Sequence, residues 1–216
     1  MSTILTVNVG RPREIDAKTG TTGIHKLPVD GPVHVSAPGP KGTGGSGLAG
    51  DAICDRENHG GDDQAVYAYA REDLDTWEGL LGRELAPGTF GENLTTSGLD
   101  VDGAVIGERW RFPSGLELQV SCPRIPCRTF AVRMGEPRWV KRFTEHAVSG
   151  AYLRVLVPGE VRAGDAVEVL DRPAHGVTVS TSFKALTRHP ELLPLLLEVP
   201  EFPDAERETV RQRLSR

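Results

Sequence analysis

The stretch LELQVSCPRIPCRTF (residues 116–130) carries the two features on which the fold prediction depends. Its first half alternates leucine and valine with glutamate and glutamine, and a period of two is typical of a half-buried β-strand. Its second half is a loop stiffened by two prolines, in which Cys127 lies between Arg124 and Arg128. The stretch therefore predicts a strand that carries a thiol, flanked by two cations, to one end of the core.

The same alternation recurs along the chain in short segments bounded by Gly, Pro and Asp. These segments are residues 5–9, 33–35, 153–157 and 167–169. The chain contains 25 Gly and 16 Pro among 216 residues, more than average usage, which favours many turns and short strands over a helical bundle. Many short strands with such turns predict a barrel or sandwich core.

Helical spacing of apolar residues is confined to a few places. Residues 71–85 and 137–147 predict two helices that cover the sheet. Beyond about residue 175 the strand pattern stops, and three short helical pieces separated by prolines follow. We therefore expect a mainly β (α+β) domain over residues 1–175, and a small C-terminal helical segment over residues 176–216.

The composition of the chain excludes several kinds of partner and location from the expected function. The net charge is −5, and no dense Lys/Arg run occurs, so nucleic acid is not an expected partner. No apolar stretch is long enough for a membrane helix, and the first residues lack a signal-peptide pattern. Three cysteines do not make a disulfide framework, so we expect a protein of the reducing cytoplasm.

Cys127 is the strongest candidate for chemistry. Nearby cations favour the thiolate, which is the form that attacks electrophiles and binds metals. Arg124 and Arg128 can also hold a phosphate. A structural zinc site is disfavoured, because Cys122 and Cys127 have C-x4-C spacing and only Cys54 remains. An inert buried thiol is the alternative, although two arginines beside it would be costly to bury.

Three polar loops are further candidates, each with a structural alternative. His59 precedes two glycines that let a ligand approach the backbone, but it can equally be a structural hydrogen-bonding residue. Asn93 can bind a heterocycle edge or cap a turn. The Gly-rich residues 39–50 can bind an anion or form a flexible hairpin tip; no helix follows them, so a dinucleotide fingerprint is rejected.

These motifs occur together in a particular order. They are PVDGPV (28–33), GLAGD (47–51), HGG (59–61), QAVYAY (64–69), GENL (91–94) and PRIPC (123–127). In this order they resemble the MOSC domain, which is named for the C-terminal domain of molybdenum cofactor sulfurase. The helical tail is similar to that of the stand-alone bacterial YiiM-type branch. Two features depart from the pattern, namely Cys54 where relatives often have Ala and a longer Gly-rich loop at 39–47.

The resemblance implies a β-barrel core and a molybdenum cofactor (Mo-molybdopterin). It implies that the protein is an oxidoreductase that detoxifies N-hydroxylated bases and amidoximes, such as 6-hydroxylaminopurine. An external reductase would supply the electrons, because no flavin or haem motif is visible. The implied site comprises Cys127 as catalytic residue and metal ligand, with cofactor contacts from Arg124, Arg128, His59, Gly60, Asn93 and Glu92.

Two other functions remain open from the sequence. The chain can be a cofactor or sulfur carrier that holds a persulfide on Cys127 without turnover. It can also be a cofactor-free thiol hydrolase that pairs Cys127 with His59 or His146. The C-terminal segment is a candidate for a homodimerisation element or for a lid over the pocket.

Overall fold

The computed structural model describes residues 1–17 and 20–215. Its strands are β1 (Thr3–Gly10), β2 (Arg13–Glu14), β3 (Thr21–Thr22), β4 (Lys26–Pro28), β5 (Val33–Val35), β6 (Val66–Ala70), β7 (Leu94–Ser97), β8 (Arg109–Arg111), β9 (Glu117–Pro123), β10 (Ala151–Val157), β11 (Gly159–Val161) and β12 (Glu168–Asp171). Its α-helices are α1 (Arg71–Leu81), α2 (Arg128–Met134), α3 (Trp139–His146), α4 (Val179–Thr187), α5 (Leu193–Leu197) and α6 (Asp204–Leu214). Single 3₁₀ turns lie at Asp62–Gln64 and Pro190–Leu192.

An eight-stranded mixed sheet forms the core, in the order β12-β8-β9-β10-β6-β7-β1-β4. All neighbours are antiparallel except β6 and β7. The segment that leads into β12 hydrogen bonds to β1, with Ile4 N donating to Asp165 O at 2.9 Å and Val167 N donating to Ser2 O at 2.9 Å. These bonds join the segment before β12, at one end of the sheet, to the start of β1, the second strand from the other end, so the core is barrel-like. The predicted fold class, mainly β with covering helices, is confirmed.

Strand β9 shows why the alternating pattern was informative. Leu118 and Val120 are fully buried, whereas Glu117 and Gln119 remain partly exposed. From Ser121 onward the strand is buried on both faces, because α4 packs across this end of it. The strand thus ends inside the protein, which places the following Arg124–Cys127 loop beside the core.

A second cluster of large side chains packs beside the sheet, where α1, α2 and α3 cover it. Trp77 of α1 and Trp139 of α3 have ring centroids 4.8 Å apart, and Phe130 of α2 meets Trp139 edge-to-face at 5.3 Å. Aromatic pairs of this kind add to the free energy of burying the rings. Helices α1 and α3 were predicted, whereas α2 was not.

The C-terminal segment forms three helices, as the prolines indicated. Helix α4 starts earlier than expected, because the Thr178 hydroxyl caps it by accepting the Thr181 N–H at 3.1 Å. The apolar residues of the segment join the same core as the sheet; they include Ala185, Leu193, Leu196, Val199, Phe202 and Val210. In the part of the chain that the structure describes, no helix is long and apolar enough to cross a membrane.

Neighbouring leucines of α5 test whether the C-terminal segment folds as one unit with the sheet. Leu196 is fully buried in the shared core, whereas Leu195 is 45% exposed. We expect Leu196→Ala to lower the free energy of unfolding of the whole protein by roughly 2–4 kcal/mol, in one transition. Leu195→Ala should cost less than about 1 kcal/mol. Urea unfolding followed by circular dichroism and tryptophan fluorescence makes the measurement; a separate early transition in Leu196→Ala would contradict the shared core.

Candidate functional site

One cavity of about 680 Å³, including its open mouth, lies where β9 ends. It brings together residues that are far apart in the sequence. Five of the predicted site residues line it, namely His59, Gly60, Asn93, Arg124 and Cys127. Lys26, Cys54, Asp55, Tyr67 and Tyr152 line it as well. We call this space the thiol cavity.

The backbone around Cys127 is held from both sides. On one side, β9 pairs with β10 as far as Pro123, opposite Ala151. On the other side, Cys127 is extended (φ −121°) immediately before α2, and its carbonyl accepts the first helical hydrogen bond from Ala131 N at 3.0 Å. Because Phe130 of α2 is locked in the aromatic cluster, the thiol is presented by a fixed backbone.

Arg124 is the principal positive charge of the cavity. Its side chain is buried, its Nη1 donates to the carbonyl of Phe90, and its guanidinium lies 3.8 Å from the Phe130 ring centroid and 5.0 Å from that of Tyr67. Such cation–π contacts stabilise a cation that has lost its water. Among the described residues, no carboxylate forms an ion pair with Arg124. The cavity therefore contains a buried positive charge that a bound anion would neutralise.

Cys127 is chemically distinct from the other cysteines. Burial opposes ionisation of its thiol, but a hydrogen bond from His59 and the charge of Arg124 outweigh burial and lower the pKa of Cys127 to about 7. In contrast, burial raises the pKa of Cys122 to about 12. A large fraction of Cys127 is therefore thiolate at neutral pH, and it is the natural counter-charge for Arg124.

His59 is the histidine that contacts Cys127. Its ring Nδ1 lies 3.5 Å from Asp55 Oδ2, and its backbone N–H donates to the Asp55 carbonyl at 3.0 Å. His146 lies elsewhere, against the Trp77 ring in the aromatic cluster. Asp55 was not recognised from the sequence, although its i, i+4 spacing from His59 was visible. Its carboxylate lies beside the imidazole that acts on the thiol.

Lys26 and Asp51 form a buried ion pair beside the cavity. Burial lowers the pKa of Lys26, and Asp51 opposes that shift. The Asn93 Nδ2 donates to Asp51 at 2.9 Å, while its Oδ1 accepts the Tyr67 N–H at 3.1 Å. Asn93 therefore faces the cavity with its amide group already engaged by the protein. Lys26 is a second cation that the sequence motifs did not reveal.

Two of the predicted site residues lie outside the thiol cavity. Glu92 is fully buried, and its carboxylate accepts the backbone N–H groups of Gly88 and Phe90 and the Thr95 hydroxyl. It organises the turn that places the Phe90 carbonyl beside Arg124. Arg128 is exposed and borders a shallow hollow next to α3.

The Gly-rich loop packs directly on the His59-Gly60-Gly61 motif. Gly61 N donates to Gly45 O at 3.1 Å, and Gly60 and Gly61 have φ of 79° and 81°. A Cβ atom on Gly60 would lie 2.6 Å from Gly45 O, and one on Gly61 would lie 2.6 Å from Lys41 N. Only glycine allows this approach. The loop is thus a packed wall of the site and not a free hairpin tip.

Comparison with known proteins identifies the family. Residues 55–168 match the model of the MOSC domain. The chain belongs to the MOSC family. It is 36% identical to YflK of Bacillus subtilis over 178 residues, which are 82% of this chain and 76% of that protein. It is 30% identical to YiiM of Escherichia coli over 155 residues, which are 70% of this chain and 65% of that protein.

Other relatives extend the comparison to structure and to a named activity. The crystal structure of YiiM from Geobacillus stearothermophilus covers 99% of this MOSC chain and all of its own chain, with a TM-score of 0.79 and 28% identity. A protein named reductase from Gibberella moniliformis is 30% identical over 186 residues. Those residues are 85% of this chain but 32% of that protein, so the chain corresponds to about a third of the reductase. The expected resemblance to YiiM-type proteins is confirmed.

The ionisation of Cys127 can be measured by alkylation of cofactor-free protein. We expect the rate of iodoacetamide modification at Cys127 to rise with pH with a midpoint near 7, because the thiolate is the nucleophile. In His59→Ala the midpoint should move up, towards the value of about 8.5 for an ordinary thiol, because the hydrogen bond that favours the thiolate is lost.

Mass spectrometry of the peptide that contains Cys127 separates its modification from that of Cys54. The buried Cys122 serves as the internal control and should stay unmodified at neutral pH. An unchanged midpoint in His59→Ala would contradict the assigned role of His59.

Proposed function

We propose that this MOSC protein is a molybdenum-dependent oxidoreductase that reduces N-hydroxylated bases and amidoximes, such as 6-hydroxylaminopurine. Cys127 is its catalytic residue and molybdenum ligand. The observation that carries the proposal is the geometry of one cavity, in which Cys127 lies with His59 and with a buried Arg124 that has no carboxylate ion-pair partner among the described residues. The relative named reductase supports the oxidoreductase class.

The donor set of the cavity suits the cofactor. Among residues 1–17 and 20–215, no group of three or more His, Cys, Asp or Glu side chains is placed to hold a metal ion. A metal that arrives with two sulfur ligands from a pterin needs only one soft ligand more, and Cys127 offers it. The cofactor also carries a phosphate, and the Arg124 guanidinium supplies a positive charge that no carboxylate in the described part of the chain neutralises as an ion pair.

Each residue has a distinct role in this proposal. When bound, the cofactor supplies the two-electron chemistry that removes oxygen from an N–OH group. Cys127 provides a sulfur ligand, and the hydrogen bond from His59 keeps that sulfur anionic. Arg124 holds the negative charge of the cofactor, and Gly60 keeps the Gly-rich loop packed against this side of the cavity. A separate reductase returns the electrons.

A carrier function is the second candidate. A thiolate at neutral pH is also the form that attacks the outer sulfur of a donor persulfide, which transfers that sulfur to Cys127 and releases the donor as a thiolate. A protein of this kind would hold sulfur or cofactor on Cys127 and pass it on without turnover. It would show a persulfide by mass spectrometry and no reduction of 6-hydroxylaminopurine.

Removal of the thiol tests the metal ligand. Protein is expressed in a host that makes the molybdenum cofactor, and molybdenum is measured by elemental analysis. We expect the wild type to contain molybdenum and pterin and to reduce 6-hydroxylaminopurine, whereas Cys127→Ser loses at least about nine-tenths of both, since a hydroxyl is a poor ligand for a soft metal. Cys122→Ala, which removes a buried thiol of raised pKa, should retain the metal. A wild type free of molybdenum and inactive would refute the proposal.

The two arginines that flank Cys127 allow a buried cation to be compared with an exposed one. Arg124 is buried in the thiol cavity, whereas Arg128 is exposed outside it. We expect Arg124→Gln to lower cofactor retention at least about tenfold, because a buried charge-assisted contact is lost. Arg128→Gln should change retention less than about twofold. Pterin content after gel filtration gives the comparison, and an equal loss in both variants would contradict the assigned role of Arg124.

A further inference from the structure

A second hollow lies against the thiol cavity, between the Gly-rich loop and the C-terminal helices. It is lined by Lys41, Asn58, Ile125, Leu186 and Glu206, among others. His59, Gln64 and Tyr152 line both spaces. The two spaces are therefore neighbours that share side chains, and a molecule in the second hollow would lie next to the residue that contacts the Cys127 sulfur.

Gln64 lines both spaces and carries an acceptor that the described residues leave unsatisfied. Its Oε1 is buried and accepts no hydrogen bond from any described residue. A buried acceptor without a donor is unfavourable, and such atoms in folded proteins usually meet a ligand or an ordered water. A bound compound that presents an N–H group toward Gln64 would satisfy this oxygen.

The charges of the two spaces differ. The thiol cavity contains the buried Arg124, which forms no ion pair with a carboxylate among the described residues, and it therefore suits an anion; its Lys26 is already paired with Asp51. In the second hollow, Lys41 Nζ lies 3.8 Å from Glu206 Oε1, so these two charges offset each other. The side chains of Ile125 and Leu186 add apolar surface. Such walls suit an uncharged, flat compound with N–H groups better than a phosphate.

We infer that the second hollow is the substrate subsite, in which Gln64 accepts an N–H of the base or amidine while the N–OH group points past His59 toward Cys127. The inference rests on the proposed reductase function, which it deepens by placing the substrate. It also gives the C-terminal segment a role, because Leu186 of α4 and Glu206 of α6 form part of the rim.

Two substitutions test the subsite. Gln64→Met removes the acceptor and keeps a side chain of similar length, whereas Leu186→Trp fills the hollow. The matched control is Leu195→Trp, which introduces the same side chain on α5 at a position that is 45% exposed and outside the residues that line the hollow. The probe is 6-hydroxylaminopurine, and its equilibrium binding to the purified protein is measured by calorimetry without an electron donor, together with molybdenum content and thermal unfolding.

We expect Gln64→Met to raise the Kd about tenfold, Leu186→Trp to raise it further, and Leu195→Trp to leave it within about twofold of the wild type. Molybdenum content should match the wild type in all three variants. If Leu186→Trp does not fold, the Kd of Gln64→Met still tests the subsite.

Absence of probe binding to the wild type, or wild-type Kd values in both Gln64→Met and Leu186→Trp, would overturn the subsite. The wild type could bind the probe and yet contain no molybdenum or reduce no substrate. If Gln64→Met and Leu186→Trp weaken that binding, the result would support the subsite and refute the reductase function. The two proposals therefore fail by different observations.

Discussion

The burial of the Arg124 guanidinium beside Cys127 is the constraint on which the rest of the site depends. A cation that has lost its water is unfavourable unless an anion or polar groups replace that water. Here the rings of Phe130 and Tyr67 and the Phe90 carbonyl replace part of it, and the thiolate supplies the negative charge. The same contacts require β6, the 88–92 turn and α2 to meet at the end of β9.

That meeting point is held by backbone contacts as much as by side chains. Asp51 receives the Gly10 N–H at 2.7 Å as well as the Lys26 and Asn93 side chains, so one carboxylate ties the 47–51 segment to β1 and to the start of β7. The Gly-rich loop lies so close to Gly60 and Gly61 that neither could carry a Cβ without a clash. A wall built in this way does not have to reorganise when a ligand enters, which lowers the free-energy cost of binding.

Periodicity was sufficient to predict the strands with one exposed face and the helices with a broad apolar face, as β9 and α1 show. It was insufficient where an element is short or buried on all sides. Helix α2 has seven residues, and every residue of β6 is buried, so neither has an amphipathic pattern to detect. Lys26 lies in a three-residue strand and is indistinguishable in sequence from a solvated lysine. Arg124 and Arg128 look equivalent beside Cys127, and only the end of β9 and the start of α2 decide that one faces inward and the other outward.

The motifs found in the sequence are therefore of two physical kinds. His59, Arg124 and Cys127 present polar atoms to the cavity, whereas Glu92 and the two glycines after His59 shape the backbone that holds those atoms. A residue of the second kind is as restricted as one of the first, because a buried carboxylate that bridges backbone N–H groups tolerates no apolar substitute.

The two neighbouring spaces differ in charge because of the same arrangement of residues. Arg124 places positive charge on the thiol side, where Lys26 is offset by Asp51, and the Lys41–Glu206 pair keeps the other side nearly neutral. An anion and an uncharged base would therefore occupy adjacent spaces without competing for the same contacts.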